Sequence, residues 1–532
     1  MCRPRRQRSA TSVRRKSQNA FFANLGTNNR TCFTCHQPQT GWTVSAASVQ
    51  SRFNAGQGTD PIFRLIDGAT CPSDDISTLA AKLQAYSLLL SKGLIRIGLQ
   101  VPTTIPNTTL PTEYRIISVD DKLSNGCNTN PITGLTNYGP DSPTTGIVSV
   151  YRRPLPSTNL GFLTTIMWDG RESDLFSQSV DATMGHAQAN LPPTPEQQQQ
   201  IVAFESGIFT AQFLDNNAEN LKAAGANGGP DALAALLPGF IPGVNDPFGG
   251  HFSSQIFDLF QAWEDIGGAG PVNAARQSIA RGEALFNNTS INITRVAGIN
   301  DVLGKTSVPG FCGTCHDTPD VGNHSIKLPI NIGIANGGPN NDNPGLDVAD
   351  LPVFTLSCVS GPNVGNTYTV TDPGRALISG KCADIGKVKG PILRGLAGRA
   401  PYFRNGSAAT LLDVVNFYDQ RFGIGFTDAP MRKRLTSSLS CKLCDRETKG
   451  ALCDEAWDVR SVPPANFWAT TYTARPLRGR QNKEALDHAV RSDRHCCHDY
   501  GRNAFICGRV RDRSSVRPSL GFRRQHCRYG VV

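Results

Sequence analysis

The sequence predicts a mainly α-helical protein in two halves joined by long loops. Three observations carry this: helix caps followed by apolar residues at helical spacing, Gly/Pro/Asn-rich stretches between them, and the same short Cys/His motif in each half. Thr194-Pro195 is a cap residue followed by Pro at the first helical position, and leads into a helix over Gln197–Phe204. Leu79, Leu83, Tyr86 and Leu90 repeat at helical spacing and stop at Gly93, while Ile256, Phe257, Phe260 and Trp263 form a second apolar stripe. Ser407 is placed to cap a helix carrying Leu411, Val415, Tyr418 and Phe422 on one face. Ala224–Gly250 and Gly333–Asp350 read as loops.

The length of 532 residues exceeds one ordinary core. Charged residues make up 18% and hydrophobic residues 39%, which excludes a charged disordered polymer. No apolar run approaches the ~20 residues of a membrane span. The net charge of +10 invites a nucleic-acid partner until it is divided along the chain. Residues 1–18 hold seven Lys/Arg and no acid, and residues 431–532 hold 21 Lys/Arg against 10 Asp/Glu. The body, 19–430, holds 25 against 33 and is net −8, so nucleic acid is not the expected partner.

Cys32-Phe-Thr-Cys35-His36 and Cys312-Gly-Thr-Cys315-His316 are both C-x-x-C-H. This spacing attaches c-type haem: two thiols add to the vinyl groups, and the adjacent imidazole supplies the proximal nitrogen to iron. A zinc site would want a second C-x-x-C nearby, and none is close. Each copy follows a similar segment (Asn19–Leu25 and Glu283–Asn287), so the body reads as a duplication carrying two covalent haems. Covalent haem and the remaining body cysteines imply an oxidising compartment. Cys71 with Cys127 and Cys358 with Cys382 are the favoured disulfides among three pairings.

Trp168-Asp-Gly-Arg171, Leu175 and Gln178, then Leu393-Arg-Gly-Leu396, Ala400-Pro-Tyr-Phe403 and Asn405-Gly-Ser-Ala-Ala-Thr-Leu411, resemble the bacterial di-haem cytochrome c peroxidase and MauG family over roughly residues 19–430. The resemblance implies two cytochrome c-like domains, 19–270 with the peroxide-reactive haem and 271–430 with the electron-transfer haem. It implies Trp168 on the electron route, hydrogen peroxide as oxidant, and a cytochrome c or cupredoxin as donor. A homodimer and a periplasmic location are further expectations. Gln178 matches the family's catalytic Gln, whereas Gln188 stands where a Glu is expected and His186 lies two residues earlier. An imidazole suits acid–base work near neutral pH, so His186 is the candidate for that task or for a sixth iron ligand. At the second haem, Tyr418 matches the axial Tyr of MauG, with His324 as the competing ligand. The family's interdomain calcium would use Asn159 and Pro401, but Arg399 replaces a Thr there and faces the site with a cation.

Three functions compete: a peroxidase, a MauG-like oxidase of a protein or organic substrate, and an electron-transfer cytochrome with two six-coordinate irons. Residues 1–18 show a basic start without an apolar region and are not expected to work as a signal peptide. Residues 431–532 turn Arg-, Ser- and Cys-rich; codons for Leu435–Cys441, read in another frame, can supply an amphipathic Asp-Leu-Val-Ala-Phe-Leu segment. The tail therefore reads as a frameshift product, disordered or non-native, whose Cys/His spacings fit no standard zinc finger.

Overall fold

The computed structural model describes residues 19–123, 127–128, 146–249, 251–337, 345–426 and 460–461. These lie within a unit spanning Met1–Phe467. The basic leader and nearly all of the tail fall outside the described residues, and with them the signal-peptide and frameshift readings.

Helix outweighs strand. The α-helices are α1 Ala46–Gly56, α2 Leu79–Ala85, α3 Ser87–Lys92, α4 Leu175–Gly185, α5 Pro195–Ser206, α6 Pro230–Leu236, α7 Pro271–Asn288, α8 Asn300–Leu303, α9 Ala376–Ser379 and α10 Leu411–Phe422. The longer strands are β1 Ile95–Gln100, β2 Tyr114–Asp120, β3 Ile147–Arg152, β4 Val353–Cys358 and β5 Thr367–Val370.

Local chemistry explains several boundaries. Thr194 caps α5 and exchanges hydrogen bonds with Gln197, with Pro195 at the first position. The predicted helix from Leu79 to Gly93 breaks at Tyr86, giving α2 and α3, and ends at Gly93 in the left-handed conformation. Its apolar stripe is only half right, because Leu79 and Leu83 face solvent while Tyr86, Leu88 and Leu89 are buried. The cap of α10 is Thr410, which exchanges hydrogen bonds with Asp413. Ser407 instead donates to the Asn405 side chain.

Two further expectations are corrected. Ile256–Trp263 is irregular chain ending in a single 3₁₀ turn, Gln261–Trp263, and it buries Phe260 and Trp263 with Ile279 and Ala280 of α7. The supposed loop Ala224–Gly250 contains α6, started by Pro230. Sequence reasoning also overlooked the sheets. β1 pairs antiparallel with β3, and β4 pairs antiparallel with both β2 and β5. Tyr114, Ile116, Val148, Val150, Phe354 and Leu356 bury one shared core between them. Cys71–Cys127 and Cys358–Cys382 form disulfides with Cα separations of 5.3 and 6.0 Å.

A buried ionic chain joins distant segments. Arg152 at the end of β3 donates to Asp169 at 2.5 Å and to Asp372 at 2.7 Å, and Arg404 donates to Asp372 at 2.8 Å. Burial pushes the Asp372 carboxyl up, but the two guanidinium groups prevail and hold it at about 2. The chain ties the Trp168-Asp169-Gly170-Arg171 segment to the Asn405 segment. Gly170 takes φ +69°, and a Cβ there would meet the Arg375 guanidinium at 2.9 Å.

Candidate active site

The two C-x-x-C-H segments fold alike. Each is a 3₁₀ turn in which the second Cys and the His both donate to the carbonyl of the first Cys, at 3.2 and 3.0 Å for Cys32 and 3.2 and 3.1 Å for Cys312. A Thr inside each turn, Thr34 or Thr314, accepts from the backbone N–H just before it. His36 places Nδ1 2.9 Å from the Trp42 carbonyl, and His316 places Nδ1 2.7 Å from the Gly322 carbonyl. Both carbonyls lie six residues past the histidine. With Nδ1–H donated to a carbonyl, Nε2 of each ring is left to bind a metal. Phe21 and Phe286 flank the two rings at centroid distances of 6.4 and 6.2 Å. The four thiols are not disulfide-bonded. Burial pushes all four up, Cys312 and Cys315 to about 12, so none is an activated thiolate.

Cys32, Cys35 and His36 wall a cavity of about 1400 Å³, its open mouth included, which Trp168, Gln178 and His186 also line. Gln178 lies on α4 and His186 terminates that helix. His186 Nδ1 lies 2.6 Å from Asp67, and Asp67 is held by Arg30 at 2.5 Å. Gln188 is not in the lining; it accepts from Asn28. Gly26 lets the chains touch there, since a Cβ would sit 1.8 Å from the Ala187 carbonyl oxygen. Glu205, on α5, also lines the cavity; its Oε2 is buried and has no partner among the described residues, and burial pushes its carboxyl up to about 7.

Cys312, Cys315 and His316 wall a second cavity of about 1680 Å³, mouth included, lined chiefly by apolar groups. Tyr418 enters it from α10, flanked by Phe403 and Phe422, and burial pushes its phenol well up. Pro401 lines the same cavity after a cis Ala400–Pro401 bond. His324 is not brought there. Its ring is buried with Nδ1 2.7 Å from Asp317, and it lines a separate small void.

Of the residues expected to hold calcium, Asn159 already has protein partners. The Asn159 carboxamide donates to the Thr210 carbonyl at 2.9 Å and accepts from the Thr210 N–H at 2.8 Å, so its oxygen is engaged. Arg399 brings a buried guanidinium to the same neighbourhood, within contact of the place a Gly395 Cβ would occupy beside Thr210. Among the described residues no group of three or more His, Cys, Asp or Glu side chains could hold a metal ion.

One wall separates the cavities. Arg153, Pro154, Leu155, Pro156, Trp168 and Lys389 line both. Lys389 is buried, donates to the Thr165 carbonyl at 3.1 Å, and is pushed down to about 7 by burial. Arg153 and Arg399 are also buried, and burial pushes each guanidinium down to about 10. Among the described residues none of the three meets a carboxylate, and Arg399 Nε and a terminal nitrogen have no partner. Sequence reasoning missed Arg30, Asp67, Glu205, Arg153 and Lys389, for which no local motif gave a signal.

Fold and site thus define a mainly helical protein with two similarly built cavities, each walled by a C-x-x-C-H turn and sharing a Trp-bearing partition. No protein-family profile matches the chain. Over 125 residues it is 35% identical to Cytochrome-c peroxidase IdrP2 of Denitromonas iodatirespirans, covering 23% of this chain and 31% of that protein. Over 281 residues it is 25% identical to Cytochrome-c peroxidase IdrP1 of Pseudomonas sp. (strain SCT), covering 47% of this chain and 66% of that protein. The chain is distantly homologous to these cytochrome-c peroxidases and spans less than two thirds of the length of either. Among the described residues no helix is long and apolar enough to cross a membrane.

Proposed function

We propose that this chain is a di-haem c-type peroxidase of the cytochrome c peroxidase and MauG type, with cytochrome c-like halves at 19–270 and 271–430. The observation that carries this reading is the repeated turn, with its Nδ1-anchored histidine, on either side of the Trp168 wall. Cys32 and Cys35 would bind one haem through thioethers with His36 Nε2 toward iron; Cys312, Cys315 and His316 would bind the other. The unpaired cations on the partition fit this group, since haem carries two carboxylates that need such partners. When bound, haem supplies an iron that takes peroxide and exchanges single electrons.

The reaction consumes two electrons and two protons: H₂O₂ + 2e⁻ + 2H⁺ → 2H₂O. Gln178 orients peroxide by hydrogen bonding, and His186 moves a proton between its oxygens in place of the missing carboxylate. Trp168 supplies the aromatic step across the partition. Electrons come from a small redox protein, and the −8 charge of the body suits a basic one. The two disulfides support an oxidising compartment such as the periplasm, which covalent haem attachment would also require.

A MauG-like oxidase is the second reading, favoured by Tyr418 in the second cavity and by Gln188, in the place of the expected Glu, lying outside the lining of the first. An anionic phenolate ligand stabilises oxidised iron and would let both sites store oxidising equivalents. Electron paramagnetic resonance of the purified protein, with and without peroxide, tests these readings. A high-spin iron that reacts supports an enzyme, and a long-lived doubly oxidised state selects the oxidase. Two inert low-spin irons leave only an electron carrier.

A further inference from the structure

We propose that Asp67, clamped by Arg30, is a positioning residue that fixes the His186 imidazole with Nε2 presented to the first cavity; this rests on the peroxidase reading above.

Asp67 is buried, and its two oxygens are divided between partners: Oδ1 accepts from Arg30 at 2.5 Å, and Oδ2 lies 2.6 Å from His186 Nδ1. Arg30 is itself immobilised, donating to the Pro61 carbonyl at 2.8 Å and the Ile62 carbonyl at 2.7 Å. It also donates to the His186 backbone carbonyl at 3.1 Å. Thus one guanidinium fixes both the backbone of His186 and the carboxylate that holds its ring. Asn28 donates to the same carbonyl at 2.8 Å, and α4 ends in a bond from the His186 N–H to Ala182 at 3.0 Å.

A carboxylate bound to Nδ1–H selects the tautomer whose Nε2 is free, and holds the ring plane. A surface loop histidine needs no such support. Here a buried charged pair is devoted to one ring that reaches the cavity from the end of α4. The carboxylate that the family resemblance places near Gln188 is absent, and the Asp67–His186 pair supplies a preorganised imidazole in its stead. Asp67 also lines the cavity, but Arg30 and His186 engage both of its oxygens, so it acts through His186.

The experiment compares Asp67→Asn, Asp67→Glu, His186→Gln and the Asp67→Asn/His186→Gln double variant. Haem content by pyridine haemochrome comes first, because Asp67→Asn leaves Arg30 with a weaker buried partner, whereas His186→Gln keeps the Arg30–Asp67 pair. Crystal structures of wild type and Asp67→Asn read the ring directly, whatever the protein's activity. Optical titration with fluoride, which binds ferric iron together with a proton that Nε2 takes up and then donates to the bound anion, reads this base without turnover.

The expected results are a displaced or rotated His186 ring in Asp67→Asn and fluoride affinity weakened about 10–100-fold, with recovery in Asp67→Glu. The rate of reaction with peroxide falls by a similar factor, and the double variant is no slower than His186→Gln alone. An unmoved ring with wild-type fluoride affinity overturns the proposal, as does an additive double variant. A protein that carries no haem overturns the peroxidase reading instead, and the ring position then still decides the role of Asp67.

Discussion

The indole Nε1 of Trp168 donates to the backbone carbonyl of Arg153 at 2.8 Å. The Trp168 carbonyl in turn accepts from the Lys389 N–H at 2.9 Å. One bond holds the ring and the other the backbone of Trp168, within the partition shared by the two cavities. Under the di-haem reading, an aromatic group held there would carry electrons from one side to the other.

Trp168→Phe keeps an aromatic body but loses the Arg153 bond and the easily oxidised indole. Electron transfer from the second site to the first is expected to slow at least about tenfold, equivalent to ~1.4 kcal/mol on the barrier. Stopped-flow reduction of the peroxide-treated protein measures this step. An unchanged rate removes Trp168 from the route.

Asp372 neutralises two buried arginines, Arg152 and Arg404. Asp372→Asn leaves both charges poorly compensated and is expected to cost about 3–5 kcal/mol of stability. Urea denaturation followed by circular dichroism gives the value, and a loss below 1 kcal/mol would show that the ionic chain is dispensable.

Glu283 accepts from the Phe260 N–H with both oxygens, at 3.0 and 3.2 Å. Burial pushes its carboxyl up from 4.5 to about 8, assisted by nearby Asp320, Asp258 and Glu264 against the Phe260 hydrogen bond. The folded protein thus binds this proton more tightly than the unfolded chain. The stabilising contribution is complete below pH 4.5 and is lost as pH rises toward 8. Glu283→Gln removes the titration while keeping an acceptor. Its melting temperature should gain on wild type between pH 5 and 8, and a pH-independent difference would contradict this.

Tyr418 lines the second cavity and His324 does not, so under the di-haem reading Tyr418 is the expected ligand of the second iron. Tyr418→Met is expected to raise the midpoint potential of that site, since thioether replaces an anionic oxygen. His324→Gln should leave its ligand-field spectrum unchanged. A spectrum altered by His324→Gln and untouched by Tyr418→Met reverses the assignment.

Much of the local architecture is written in neighbouring residues. The C-x-x-C-H turns close through bonds spanning three or four residues, and Thr194, Pro195 and Gln197 start α5 within one turn of chain, so both were legible. Ser407 misled because the capping signal lies three residues later, where Thr410 and Asp413 exchange hydrogen bonds. The β2–β4 pairing was illegible for another reason: it joins Tyr114 to Cys358, and no local pattern specifies so remote a partner.

The sequence by itself determined the two thiol–imidazole motifs, their order, the mainly helical character and the acidic body. Tertiary structure alone decided which groups surround each motif. Asp67 meets His186 across 119 residues, and Lys389 meets Trp168 from the far side of the second motif. Folding also admitted Tyr418 to the second cavity while enclosing His324 beside Asp317. Hydrogen bonds of a few ångströms set these environments, and their partners are fixed by packing and not by separation along the chain.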